Sequence, residues 1–296
     1  MRDAFLHHFG QGIGFGAELL DLSWSYYHAC GNGLSFAMHT SSPPKGVAVG
    51  AGWSDYFLPF CPDIPLGPLS SLNRHLQSRK ARLLHTPYRL ALDAHLQRRF
   101  YYLFDRNILA NRWEHKTSVA HALDRGQLLR SIYLLNQQTI DFLESHKTGA
   151  SLGDITIAVH LRRGDKITEA PYADLNRYAQ SIRAIPDWRN QSIYIMSDSL
   201  TARKELLDAL GISEQNTMKT PVTNIRGYDQ KKFNNKKPAE RQLETLNLIA
   251  EIEIARVAKH FIGTSTSNLY YLISLLREEG MPDMVSVEAP SEGLLD

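Results

Sequence analysis

Two α/β domains, each a parallel sheet wrapped by helices, are what this sequence predicts, and three observations carry the expectation. In the C-terminal half the short β-rich runs DITIAVHL, QSIYIMSD, KHFIGT and DMVSVE alternate with YADLNRYAQSIRAI, LTARKELLDALG and PAERQLETLNLIAEIEIARVA, whose apolar residues recur at helical spacing. The N-terminal half opens on the same unit: the strand-like AFLHHF, the turn GQGIGFG, the helix-like AELLDLSWSYYHACG and the strand-like LSFAMH. The chain has 296 residues, enough for two cores of ordinary size.

Composition narrows the function classes. A chain 43% hydrophobic and 22% charged folds as a globular protein rather than a disordered or fibrous one. Its 33 basic and 31 acidic side chains leave a formal charge of +2, which demands neither a nucleic-acid groove nor a membrane-surface patch. Any anion site must therefore be local. No apolar run reaches the length of a membrane span, and the start, MRDAFLHHFGQG, shows no signal-peptide apolar region. Cys30 and Cys61 are too few for a zinc site and lack C-x-x-C spacing, leaving one disulfide or two free thiols, with free thiols the preferred reading.

Taken in order, the first strand runs into a glycine turn in which Gly12, Gly14 and Ala17 satisfy G-x-G-x-x-A. The second strand, however, ends in His39 and Thr40, where a dinucleotide site supplies an acidic residue for the ribose. The glycines then read as a tight turn, or as backbone that passes close to a ligand. A Pro/Ser/Gly-rich band spans Ser41 to Ser71, and helical pattern follows through RLALDAHLQRRFYYLF and QLLRSIYLLNQQTIDFLESHK. The break HKTGASLGD marks the domain boundary, giving domains 1–150 and 151–296. KKFNNKK, Lys231 to Lys237, reads as an exposed mobile loop.

The charges gather after the first strand of the second domain, in IAVHLRRGDKITEA. Side chains alternate along a strand, so His160 and Arg162 share one face and Leu161 and Arg163 the other. Arg162 reads as ligand-facing, at the strand end where open α/β sheets bind ligands. Arg163 reads as a structural partner of Asp165 or of another helix-end carboxylate. A second element should face Arg162: FIGTSTSNLYYLISLL is a short strand, a Thr/Ser loop and a helix, which places hydroxyls and backbone N–H groups from Thr264 to Ser267 at a helix N-terminus that favours phosphate. No D-x-D, H-E-x-x-H or Walker lysine loop occurs, so a metal-diphosphate clamp has no evident ligands.

These residues resemble a known family. HLRRGDKITEA is similar to the H-x-R-R-x-D motif of the α1,6-fucosyltransferases, which comprise the core fucosyltransferases of N-glycans and the rhizobial nodulation enzymes, and FIGTSTSN is similar to their F-x-S-S-Q segment. GFGAELLDLSWSYYHACG resembles their glycine turn and following helix, and GAGWSDYFLPF their G-G-W-x-x-x-F-x-P stretch. Here Ser199 replaces the second of two neighbouring aspartates, Glu251 an aspartate, and Asn268 a glutamine; Lys166 to Glu169 is one residue shorter than in the animal enzymes.

The resemblance implies two Rossmann-like domains facing a cleft, in the GT-B manner, with 1–150 on the acceptor side and 151–296 binding the GDP-sugar. It implies a metal-independent, inverting transfer of fucose from GDP-β-L-fucose to a glycan or glycopeptide hydroxyl, with no cofactor, no nucleic acid, no membrane segment in this chain, and a Golgi or secretory-lumen address. The catalytic residues would be Arg162 on the diphosphate, Glu169 as base and Lys166 holding the acceptor. The substrate-binding set would be His160 and Glu251 at the guanine, Ser267 at the β-phosphate with Thr266 and Asn268 beside it, and Arg163, Asp165, Asp198 and Gly14 around them. Two alternatives stay open: a GDP-sugar-binding protein without turnover, and a fucosyltransferase acting on protein hydroxyls.

Overall fold

The computed structural model describes residues 4–10, 12–40, 46–64, 100–102, 119–145, 155–163, 172–213, 230–278 and 284–287. The chain divides into two compact units, residues 1–136 with 237–242 and residues 137–236 with 243–296. The break anticipated before Ser151 lies outside the described residues.

In the first unit β1 (Ala4–Phe9) runs into α1 (Phe15–Gly31) and returns as β2 (Ser35–Thr40). β3 (Phe100–Tyr102) completes a parallel sheet of order β2-β1-β3. Of RLALDAHLQRRFYYLF, where helical pattern was expected, only Phe100–Tyr102 are described, and these form a strand through pairing with β1; the rest lies outside the described residues. Phe5 packs with Trp24 and Ala29 and stacks on Phe36 at 6.0 Å.

The GAGWSDYF segment folds around one carboxylate. Asp55 accepts from the backbone N–H groups of Val49, Gly50 and Ala51 at 2.8, 3.1 and 2.8 Å, which closes the turn and seats Trp53 against Phe57 with ring centroids 4.2 Å apart. Gly46 passes so close to Gly12 that a Cβ on it would meet the Gly12 Cα at 2.7 Å, and its φ is +55°. Arg241 donates to the Gly46 carbonyl at 2.8 Å and secures this approach. The helical pattern expected through QLLRSIYLLNQQTIDFLESHK splits into α2 (Val119–Ile132) and α3 (Gln137–Ser145). Between them Leu135 makes a bridge with Phe57, and the Leu134 carbonyl accepts from the Leu58 N–H at 2.7 Å.

The second unit continues from α3 through β4 (Ile157–Leu161), α4 (Leu175–Arg183), β5 (Ile193–Ser197), α5 (Leu200–Leu210) and α6 (Gln230–Asn234). It ends with α7 (Pro238–Val257, counted here from Leu243), β6 (His260–Gly263), α8 (Asn268–Leu276) and β7 (Met284–Ser286). The sheet is parallel, in the order β5-β4-β6-β7. One face of β4, with Ile157, Val159 and Leu161, joins Ile193 and Ile195 of β5 under α4 and α5, which contribute Tyr178, Ile182, Leu206 and Leu210. Every residue of β4 is buried, as befits a central strand covered on both faces.

Helix ends are set by the expected chemistry. Asp174 and Ser199 cap α4 and α5 through their side chains, and Gly211 ends α5 at φ +69°. Buried Arg277 closes the end of α7 by donating to the Ala255 and Ala258 carbonyls at 2.7 and 2.8 Å. KKFNNKK does not form the mobile loop anticipated for it. Much of it is in α6, whose Phe233 is buried; one apolar anchor among the lysines suffices to seat a turn of helix.

Candidate functional site

β4 ends at the middle of its sheet, between β5 and β6, where the carboxyl ends of parallel strands leave backbone and side chains free for a ligand. Leu161 pairs with Ser197, so Arg162 leaves β4 beside Asp198. On the other side, β6 ends about 4.8 Å away, the spacing of hydrogen-bonded strands. Arg162 is half-buried and has no hydrogen-bond or ion-pair partner among the described residues.

Arg163, the next residue, is committed to structure. Its Nη2 donates to the Ala173 carbonyl at 2.5 Å and its guanidinium lies 4.9 Å over the Tyr172 ring. The Tyr172 hydroxyl donates back to the Arg163 carbonyl at 2.7 Å. The Arg163 backbone N–H donates to Asp198 Oδ1 at 2.6 Å, so one carboxylate ties the ends of β4 and β5 together. The structural role expected for Arg163 was an ion pair with Asp165 or another helix-end carboxylate; among the described residues its guanidinium instead meets the Tyr172 ring and the Ala173 carbonyl, and Asp198 takes the backbone N–H.

His160 is buried on the opposite face from the Leu161 core, with Nδ1 unpartnered. Burial, and then the charge of Arg162, push its pKa down to about 3, so the imidazole is neutral. Gly263, at the end of β6, explains how closely this region packs. A Cβ there would stand 2.6 Å from Cδ2 of Tyr270 and 3.4 Å from Cβ of His160. The missing side chain lets the Tyr270 ring press onto the strand end, where it also stacks on Phe261 at 5.3 Å.

α8 starts directly after that strand. Ser267 is its N-cap residue, but its side chain makes no capping bond; its Oγ is buried and has no partner. A buried, unsatisfied hydroxyl is costly, and at a helix N-terminus it stands among N–H groups whose dipoles favour an anion. Thr264 is buried behind it, while Thr266 and Asn268 are exposed beside it.

The third edge of the site lies at β5. Tyr194, buried on β5, donates its hydroxyl to Glu251 Oε1 of α7 at 3.1 Å. Burial raises the Glu251 pKa to about 7, against the lowering effects of the Tyr194 bond and of Arg203, with the Asp198 charge adding to the rise. Arg203 follows Ser199 by one helical turn, its N–H donating to the Ser199 carbonyl at 3.1 Å, and it is 7% exposed. The sequence reading named Glu251 and did not name Tyr194 or Arg203. The latter stands in ARKELL, which reads as an ordinary charged helix surface, and the only available signal was its place in the first turn after a strand end.

The remaining expected residues fall elsewhere. Gly14 belongs to the first unit and caps α1 at φ −62°. Two N–H groups of that glycine turn are occupied: buried Glu18 accepts from Gly10 at 3.0 Å and from Gly12 at 3.2 Å. A carboxylate of the chain itself thus takes the place a phosphate has in a dinucleotide fold. Asp165, Lys166 and Glu169 lie outside the described residues.

No protein-family profile matches this chain, and no curated protein matches it. Solved structures do. The structure of NodZ α-1,6-fucosyltransferase soaked with GDP-fucose superposes with a TM-score of 0.52 at 14% identity, covering 94% of this chain and 93% of that one. The same enzyme co-crystallised with GDP gives 0.53 at 15% identity over 94% and 93%. NodZ from Bradyrhizobium gives 0.52 at 14% over 94% of each chain. This chain has the fold of these fucosyltransferases across nearly its whole length, with α/β units built on parallel sheets.

Proposed function

We propose that this chain is a glycosyltransferase that moves fucose from GDP-β-L-fucose to a glycan hydroxyl, with inversion and without a metal ion. The observation that carries the proposal is that Arg162, without a hydrogen-bond or ion-pair partner among the described residues, leaves β4 next to β6, the strand that leads to the buried, unpartnered hydroxyl of Ser267 at the start of α8. The fold supports it, since it is shared with an enzyme whose structures were obtained with GDP and GDP-fucose. In this reading residues 151–296 bind the donor and residues 1–150 provide the acceptor side.

As the bond between the sugar and the phosphate breaks, negative charge grows on the departing GDP and the anomeric carbon becomes oxocarbenium-like. Arg162 presents a planar fork that can hold two phosphate oxygens, and the N-terminus of α8 with Ser267 adds oriented donors at no cost of reorganisation. Neutral His160 and the carboxyl of Glu251 border the base. The acceptor hydroxyl must lose a proton as it attacks, and Glu169 is the base that the sequence resemblance assigns, with Lys166 orienting the acceptor.

The test is an acceptor screen with isotope-labelled GDP-fucose, run in excess EDTA, with the anomeric configuration of any product read by NMR. The proposal expects an α-fucosylated glycan at a rate within about twofold of that without chelator, because fixed protein charge takes the ion's place. Transfer that depends strictly on Mg²⁺ or Mn²⁺, or label appearing only on protein hydroxyls, would contradict it.

A further inference from the structure

β7 is the edge strand of its sheet, and the mechanism above gives it no task. Its last residue, Ser286, is in register with Gly263 at the end of β6, and the following N–H, of Val287, donates to the Gly263 carbonyl at 2.7 Å. Beyond that point the pairing passes to a side chain: the Ser286 hydroxyl oxygen accepts the backbone N–H of Ser265 at 3.1 Å. That N–H belongs to the peptide group joining Thr264 and Ser265, and the carbonyl of the same group accepts the N–H of Ser267 at 3.0 Å. A trans peptide is planar, with its N–H and C=O on opposite sides, so fixing one fixes the other. Ser286 thereby sets the direction of the carbonyl that turns the chain into α8, where Ser267 stands as N-cap residue with its buried Oγ unpartnered.

We propose that Ser286 is a positioning residue for the β-phosphate of the donor, acting through the Thr264–Ser265 peptide and Ser267. This rests on the donor-site reading above and deepens it. Rotating that peptide by half a turn would take the acceptor from the Ser267 N–H and release Ser267 from its place at the head of α8, and the donors there would lose the fixed arrangement that a phosphate needs. The Ser286 oxygen opposes the rotation from outside the loop. The packing of Tyr270 against Gly263 seats the helix itself, so the two holds act on different parts of the segment. Ser286 is exposed, and its hydroxyl is not part of the core.

The experiment is isothermal titration of the whole chain with GDP and with GMP, beside thermal melting, for the wild type, Ser286→Ala, Ser286→Thr and Ser286→Val. GMP lacks only the β-phosphate, so the ratio of the two dissociation constants reads the contact made there. Ser286→Ala should shrink the wild-type preference for GDP over GMP about fivefold, the worth of one hydrogen bond, with GMP affinity little changed. Thr and Val have nearly the same shape and both suit a strand, but Thr alone keeps the hydroxyl. The Thr variant should therefore hold the wild-type ratio and the Val variant should lose it. A hydroxyl with only a structural role would lower the melting temperature of the Ala and Val variants and leave the ratio alone. That result, equal ratios in the Thr and Val variants, or a wild type that binds GDP and GMP equally, would overturn the role of Ser286 and leave a nucleotide site standing. Failure of the wild type to bind GDP would overturn the donor-site reading and this inference together.

Discussion

Asp198 accepts the backbone N–H of Arg163 at 2.6 Å, and this one contact fixes the end of the central strand to the end of its neighbour. It also sets the direction in which Arg162 leaves the sheet. Replacing Asp198 with Ala should therefore cost about 1–3 kcal/mol, the worth of a charged acceptor lost to a part-buried N–H. Asn, which keeps an acceptor oxygen, should recover a good part of it. Urea midpoints of the three proteins check this, and equal midpoints for Ala and wild type would contradict it.

The two adjacent arginines should respond oppositely to the same change. Arg162→Lys keeps the charge but loses the planar fork, and transfer should fall on the order of a hundredfold. Arg163→Lys loses the Tyr172 stacking and the bond to the Ala173 carbonyl, so it should cost about 1 kcal/mol of stability with GDP affinity nearly intact. Kinetics and thermal melting on both variants separate the two. A wild-type rate in Arg162→Lys would remove that residue from the site.

Gly263→Ala adds a single methyl where the Tyr270 ring would be 2.6 Å away. The ring must shift or β6 must bend, and overpacking of this kind costs about 1–3 kcal/mol. The double variant Gly263→Ala with Tyr270→Leu should regain part of the loss, because a smaller side chain leaves the methyl room. Melting temperatures test both statements.

Stability should fall in acid, in two stages. His7, His8 and His160 each have a pKa lowered from 6.5, to about 3, about 4 and about 3, by burial first and then by the charge of His8 on His7, of His39 on His8 and of Arg162 on His160. Below pH 6.5 the unfolded chain binds a proton at each and the folded chain does not, so each costs ~1.4 kcal/mol per pH unit down to its own folded pKa. Glu251, raised from 4.5 to about 7, has the opposite sign: the folded chain holds the extra proton, so it adds stability as pH falls from 7 to 4.5. From these four groups the net loss is ~2.8 kcal/mol per unit between pH 6.5 and 4.5 and ~4.2 kcal/mol per unit from there to about pH 4. Urea titrations at pH 7, 5.5 and 4 check the break, and a flat profile would contradict the buried neutral histidines.

Much of this architecture was legible because period and punctuation agree in the second unit. The runs that became β4, β5 and β6 are short and β-branched, the helices between them carry Asp174, Ser199 and Gly211 at their ends, and strand alternation alone separated Arg162 from Arg163. What escaped depends on partners distant in sequence. β3 is strand only because β1 lies beside it, and Phe233 anchors α6 against residues that no local pattern names. Glu18 fills its own glycine turn, a contact that G-x-G-x-x-A spacing does not reveal. Arg203 is buried although its neighbours Lys204 and Glu205 are exposed, as a charged helix surface would be.

The most direct measurement of the central claim is GDP release from GDP-fucose in the absence of any acceptor, followed beside GDP binding in the same preparation, for the wild type and Arg162→Lys. A fucosyltransferase with this site should bind GDP in preference to ADP and release it slowly from the donor, water taking the acceptor's place, and Arg162→Lys should lower that release on the order of a hundredfold. GDP binding without any release would contradict a transferase and leave a protein that only holds the nucleotide sugar.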